Sequence, residues 1–407
     1  ARVTHYDQST GTLTLHNYMD FVDLTDYATL SYELNCDGQV LSAGSVPFPD
    51  GFRLPPHADG TLPLPLDVPA KGKCFVNICY RCKQDSALIK ADHLLGFDEI
   101  PLQNSDPRNQ DAVQLLGRPA GDGLITIRET DRMLVLSCEQ FTYVFNKLTG
   151  LFDKMTFANE PLLDQPMGFN VWRAPTDNDR KLKVDWYAAH YDHAATNAYH
   201  TEYTVTASGV TLHTHVGIAA ICVQKFLDLD VTWTVANNGS VDLALHAQRN
   251  TVFPELPRFG LRLFLPQEMS QVNYYGMGPM ECYRDKHHAA SHSSYTATVW
   301  QLHEDYIRPQ ENGSHFDCDY VMLAGDAVRL TAVGTQPFSF NVSHYTQEEL
   351  TRKAHNYELE PCGSTVLCLD YAQNGIGSES CGPRLLEQYR LDDAAFDFGL
   401  RLIPEKK

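Results

Sequence analysis

The stretch Ala28-Thr-Leu-Ser-Tyr-Glu-Leu34, followed by Asn35-Cys36 and then Asp37-Gly38, decides what kind of fold this is. Leu30, Tyr32 and Leu34 alternate with Thr29, Ser31 and Glu33, the period-two pattern of a strand buried on one face. Asp-Gly is a strong hairpin signal, because both turn positions tolerate a positive φ, and Val40-Leu41 resumes the apolar pattern beyond it. Outward from this hairpin the same grammar repeats. Lys73–Lys83 reads as a further strand, and seven prolines between Pro47 and Pro69 read as an extended loop. Gly11 and Lys71-Gly72 punctuate the rest. Short strands separated by turn signals imply a small antiparallel sandwich of immunoglobulin-like type over residues 1–109.

The segment Gln103–Asp122 is polar and broken by Pro107, Gly117 and Pro119, which places a domain boundary within it. Beyond it the strands lengthen: Met133–Phe145, Leu151–Phe157, and Cys222–Ala236 closed by the Asn238-Gly239 turn into Val241–His246. Val321–Leu323, Val328–Val333 and Phe338–Val342 add more. Residues 110–407 therefore read as one large β-sandwich. Helices are few: a weak one at Trp186–Ala198, and one at Gln347–Asn356, where Thr346 and Glu349 have capping-box spacing. Strand does not alternate with helix, so Rossmann and TIM-barrel folds are excluded.

With 407 residues, 43% hydrophobic and 20% charged, the composition is that of a water-soluble globular chain of two or three domains. The net charge of −19 argues against a nucleic-acid partner. There is no apolar run long enough for a bilayer and no secretion signal is visible, so no membrane partner is expected. Eleven scattered cysteines, an odd number, suit a reducing cytoplasm better than a disulfide framework. Cys79 and Cys82 lie three apart on a strand and face opposite sides, so they cannot share a metal.

Four stretches carry unusual chemistry. Tyr274–Lys286 reads YYGMGPMECYRDK, where Gly276, Gly278 and Pro279 suggest a rigid bend rather than a strand, with Glu281, Arg284 and Asp285 following it. Bracing the fold is favoured over catalysis there. Trp172–Arg180 reads WRAPTDNDR and Gly375–Arg384 reads GIGSESCGPR, both polar shaped loops. Asn159-Glu160-Pro161 matches the surroundings of a glycosidase acid/base glutamate. That chemistry needs a second carboxylate about 5–5.5 Å away, and none is evident, so it reads as a decoy. His213 and His215 share a strand face but lack a matching Cys or carboxylate, so no metal is assigned.

Taken together, these motifs resemble the C-terminal part of a glycoside hydrolase family 2 β-galactosidase. The matching residues come in the family's order. They are Arg173-Ala174-Pro175 with Asp177-Asn178-Asp179, Pro257–Gly260, and Gly276-x-Gly278-Pro279-x-Glu281-x-Tyr283-x-Asp285. Pro309–Gly313 and Gly375-Ile376-Gly377 leading to Gly382-Pro383 complete the set. The resemblance implies an immunoglobulin-like domain followed by a large galactose-mutarotase-like sandwich. It places both catalytic glutamates on a TIM barrel that precedes this chain, which leaves the chain inactive alone and without cofactor. The implied partners are that barrel portion, in the same chain or a companion subunit, a β-galactoside substrate, and further copies in a homo-oligomer. Cys381 stands where the family usually places a tryptophan that stacks on the aglycone. The implied substrate-contacting residues are Cys381, Ser380, Asp177, Asn178 and Asp179. Lys181 and Lys286 depart from the family's usual Gly and Arg. Two rival readings are a stand-alone mutarotase-like epimerase, with His246 or His344 as its base, and a non-catalytic carbohydrate-binding module presenting Trp186 or Trp300.

Overall fold

The computed structural model describes residues 1–102 and 107–407, so Gln103–Asp106 of the expected linker lie outside the described residues. The chain divides into two compact units, Ala1–Val113 with His288–Ser294, and Gln114–His287 with Tyr295–Lys407. Both are built almost wholly of antiparallel strands, as the alternation and turn signals require.

The smaller unit packs a three-stranded sheet (Arg2–Asp7, Thr12–His16, Asp59–Pro63) against a four-stranded one in the order Gln39–Val46, Ala28–Cys36, Cys74–Cys82, Leu94–Pro101. This is the expected immunoglobulin-like sandwich. Leu13, Leu15, Leu30, Leu34, Leu62, Val76 and Ile78 fill its core. The hairpin at Asp37-Gly38 takes positive φ at both residues, 52° and 83°. The proline-rich Pro47–Pro69 is not entirely loop. Asp59–Pro63 pairs along Thr12–His16, and Pro63 sits at the end of that edge strand, where its missing N–H costs little. Short helix Gln110–Leu116 replaces part of the expected linker; the Asn109 side chain accepts from the amides of Asp111 and Ala112 and so caps it. Within this unit, His292 lies on Phe75, ring centroids 4.2 Å apart, and its Nδ1 is 2.6 Å from Glu99.

In the larger unit a five-stranded sheet of Thr126–Glu129, Met133–Ser137, Phe141–Asn146, Leu151–Phe157 and Glu160–Pro161 accompanies a larger sheet. The main path of the latter runs Gln165–Asn170, Arg258–Pro266, Ser364–Gln373, Val328–Ser343, Ala395–Lys406, Val241–Arg249, Leu227–Ala236, Gly209–Ala219, Ala195–Thr206. Gln271–Gly278 and Ser314–Ala324 branch from it. The two sheets share one apolar core. Phe152 meets Trp233 edge-on at 5.3 Å, the Trp233 indole donates to the Gly150 carbonyl, and the Tyr143 hydroxyl donates to the Gly239 carbonyl.

Several strand expectations are revised. Met133–Phe145 is two strands of a hairpin, Cys222–Ala236 begins only at Leu227, and Val328–Ser343 is one sixteen-residue strand. The weak helix expected over Trp186–Ala198 lies earlier, at Leu182–Ala188, and Ala195–Ala198 belongs to strand Ala195–Thr206; the better one spans Gln347–Arg352 with Thr346 as its cap. Tyr274–Gly278, read as a bend, is the end of strand Gln271–Gly278. Gly276 is what permits it: a Cβ there would stand 2.3 Å from the Cys318 sulfur and 2.8 Å from its Cα. The turn starts only at the cis Gly278–Pro279 bond.

His315 is enclosed by Tyr274 and Phe340 at ring distances of 4.6 and 5.1 Å. Its Nδ1 lies 3.2 Å from the Met277 carbonyl and its buried Nε2 has no partner. Burial pushes its pKa down from 6.5 to about 4. The unfolded chain takes up this proton near 6.5, whereas the folded chain holds it off until about 4. Stability is therefore full above 6.5 and declines by about 3 kcal/mol as pH falls through that interval. Urea unfolding across this pH range should show the decline in the wild type and a flatter profile in His315→Phe. Equal slopes would remove His315 as the cause.

Candidate functional site

Two loops of the larger unit meet on a third. In Trp172–Arg180 the amide and hydroxyl of Thr176 donate to the Asp179 carboxylate at 2.9 and 3.2 Å, which winds Asp177–Arg180 into a 3-10 turn. Arg173 is fully buried and pairs with the same carboxylate through Nε and Nη2, at 3.2 and 2.6 Å. A fork-shaped pair of this kind suits a carboxylate that has lost its water. The guanidinium lies 5.2 Å over the Trp186 ring. Its remaining donors go to the carbonyls of Asn374 and Gly375, at the root of the other loop.

That second loop, Gly375–Arg384, is held from three sides. The Asn178 amide donates to the Gly377 carbonyl at 2.8 Å, and Lys181 lies 3.5 Å from Glu379. Asp285, from the corner after Pro279, accepts from the amides of Ile376 and Gly377 at 2.9 and 2.7 Å. A Cβ at Gly375 would come within 2.8 Å of the Asp285 carboxyl carbon, so this close approach needs glycine. At the tip the amides of Cys381 and Gly382 both donate to the Ser378 carbonyl, and at the base Arg384 pairs with Glu255 at 2.8 Å.

The five residues singled out from the sequence therefore lie on two loops that the fold joins, but in different settings. Cys381 is exposed at the tip, with the Ser380 hydroxyl 3.8 Å from its sulfur. Asp177 is exposed and Asn178 half-buried on the first loop. Asp179 is 3% exposed and both its oxygens are engaged, so it shapes the loop. Glu281 of the corner accepts from the Tyr306 hydroxyl at 2.5 Å, the Gly313 amide at 3.0 Å and Lys286 at 3.2 Å. Lys286 therefore serves the neighbouring carboxylate and not the Asp285 site.

Behind the loops lies a network that local sequence did not reveal. Arg258, fully buried, donates to Glu311 at 2.9 Å, to Asp370 through Nε at 3.2 Å, and to Asn341 at 3.1 Å. Burial alone would lower the pKa of Arg258, but Asp370 and Glu311 raise it well above the usual value. Burial lifts both acids in turn, against the pull of the guanidinium. The Glu311 amide donates to the Ala174 carbonyl, which ties this network to the first loop. The sequence signs were the motifs Pro257–Gly260 and Pro309–Gly313, which hold Arg258 and Glu311 but do not show that the two pair.

The other candidates fall away from this site. Glu160 is exposed on a two-residue edge strand. His246 pairs with Asp397 at 2.8 Å on an open face, both groups well exposed, and His344 lies 3.3 Å from a backbone carbonyl of Ser364. Trp186 is fully buried. Among the described residues no group of three potential metal ligands is gathered.

The family model described as "Beta galactosidase small chain" matches residues 137–402. The chain belongs to that family. The model for "Beta-galactosidase, domain 4" matches residues 13–103 ahead of it. Relatives include a β-galactosidase of Actinobacillus pleuropneumoniae, 38% identical over 97% of this chain, and one of Staphylococcus xylosus, 32% identical over 96%. In each case the match spans only 38% of the relative's length. Among solved structures, a galactose 1-epimerase from Lactobacillus acidophilus NCFM aligns over 70% of this chain and 99% of its own, at a TM-score of 0.40 and 8% identity.

Two substitutions separate the roles of these groups. Asp179→Asn leaves the buried Arg173 without its counter-charge and should cost about 3–5 kcal/mol in urea unfolding. Asp285→Ala removes only the acceptor of two backbone amides and should cost less, about 1–3 kcal/mol. It should instead speed hydrogen exchange at Ile376 and Gly377. Unchanged exchange there would mean that Asp285 does not hold the loop.

Proposed function

We propose that this chain is the C-terminal part of a cytoplasmic β-galactosidase that hydrolyses terminal β-D-galactosides with retention. Its two domains divide near residue 110. The catalytic glutamates belong to a TIM-barrel portion outside this chain, in the same polypeptide or a companion subunit, and the assembled enzyme is a homo-oligomer. The observation that carries this reading is that Trp172–Arg180 and Asp285 both hold the loop Gly375–Arg384, with Cys381 exposed at its tip. Loops held this firmly by a rigid scaffold are suited to present groups to a ligand.

In this role the chain does no bond chemistry. Cys381, Ser380, Asp177 and Asn178 form one wall of the aglycone subsite, and Asp179 and Arg173 keep that wall in shape. Hydroxyl, amide and carboxylate groups at the tip can exchange hydrogen bonds with sugar hydroxyls. Cysteine offers no flat ring for the C–H face of a pyranose, so aglycone binding is weaker than with an aromatic residue there. The rival epimerase needs a His and a carboxylate in a cleft. The His246–Asp397 pair lies on an open face instead.

Hydrolysis of a chromogenic β-galactoside tests the reading. The purified chain alone should be silent, and mixing with a separately prepared barrel portion should restore turnover. Turnover by the chain alone, abolished by Glu160→Gln, would overturn it. In the restored enzyme Cys381→Trp should tighten glucose binding as a galactosyl acceptor by roughly 2- to 10-fold, the worth of one aromatic contact. No change would move the aglycone wall elsewhere.

A further inference from the structure

A cavity of about 200 Å³ opens in the larger unit between Tyr283–Arg284, Phe316–Asp317, the middle of Val328–Ser343 and the end of Ser364–Gln373. The loop residues described above do not line it. Aromatic rings supply much of its wall: Tyr283, Phe338 and Tyr371. Arg284, Asp317 and Gln373 supply planar polar groups, and Ser314 and Ser339 are hydroxyls on its border.

Three features distinguish this cavity from a packing gap. Gln373 is 5% exposed, and its side-chain nitrogen is committed to Ser314 and Asp370 at 3.2 and 3.4 Å. Its oxygen has no partner, an arrangement costly to leave unmet in a folded interior. Asp317 adopts a left-handed φ of 52°, unusual for a residue with a Cβ. The strand that carries it, Ser314–Ala324, breaks register with Val328–Ser343 twice, on either side of Cys318. Bulges of this kind re-aim side chains and gather beside binding sites, as does local backbone strain.

The size and chemistry of the cavity restrict its occupant. A space of about 200 Å³ is below the range of drug-sized pockets and fits a ring of about a dozen heavy atoms. One guanidinium and one carboxylate at the wall balance in sign, which favours a neutral ligand over a phosphate. Aromatic faces accept the C–H side of a saturated ring, while guanidinium, carboxylate and amide groups bridge neighbouring hydroxyls in pairs. We infer that the cavity is a binding site for a neutral hexopyranose, separate from the Cys381 loop and independent of the β-galactosidase reading.

The test is saturation-transfer NMR on the full chain with D-galactose and D-glucose, and with D-glucose 6-phosphate as the charged control. Transfer to one or both neutral sugars is expected, with weaker transfer to the phosphate. Ser339→Phe, which fills the cavity, and Arg284→Met, which keeps the stem and removes the polar head, should each reduce transfer at least severalfold. Near-UV circular dichroism verifies folding; if Ser339→Phe does not fold, Arg284→Met decides alone. Absence of transfer, transfer preserved in the folded variants, or preference for the phosphate would each overturn the inference.

Discussion

The larger unit is organised around a positive charge that has no access to water. Arg258 is wholly buried, and its five N–H donors would each be a liability if left unmatched. Glu311, Asp370 and Asn341 meet them, each from a different segment of the chain. Such a group leaves little freedom to the strands around it. Shifting Ser364–Gln373 by one residue against Arg258–Pro266 would turn Asp370 away from the guanidinium, since side chains alternate between faces. The network is weak evidence for high stability, because desolvating three ionic groups is itself expensive. Its stronger consequence is register.

The candidate site inherits that order. The Glu311 amide holds the Ala174 carbonyl, so the first loop begins at a point set by the Arg258 network. Gln373 donates to Asp370, and the next residues, Asn374 and Gly375, offer their carbonyls to Arg173. A second buried guanidinium thus takes over where the first stops. The exposed tip at Cys381 stands on a base fixed by hydrogen bonds to backbone, which transmit position without depending on flexible side chains. Tip residues can therefore vary while the base keeps its shape.

The legible parts of the sequence were those written locally. Alternation at Leu30 and Leu34, the Asp37-Gly38 and Asn238-Gly239 turns, and the Thr346 cap act over a few residues and could be read in place. Tyr274–Gly278 misled because Gly276 serves the approach of Cys318, about forty residues further on, and not a bend of its own. Asp59–Pro63 was hidden by prolines that an edge strand tolerates. At the site the two loops could be picked out by their polarity and glycine content. What holds them could not, because Asp285 reaches Gly377 and Arg173 reaches Asn374 only through the tertiary fold. Asp179 looked like a group for a ligand because its type says nothing about a buried arginine six residues earlier.

The short passage His288–Ser294 belongs with the smaller unit, although nearly two hundred residues separate it from that unit's last strand. There its imidazole covers Phe75 and satisfies Glu99. Neither unit is therefore one uninterrupted run of sequence; the chain is laced rather than strung. Gene rearrangement can shuffle modules that begin and end once, but a single exchange point between these two would leave Glu99 in the hands of a foreign sequence. A module cut at one such point would carry Glu99 and Phe75 without the imidazole they were folded against.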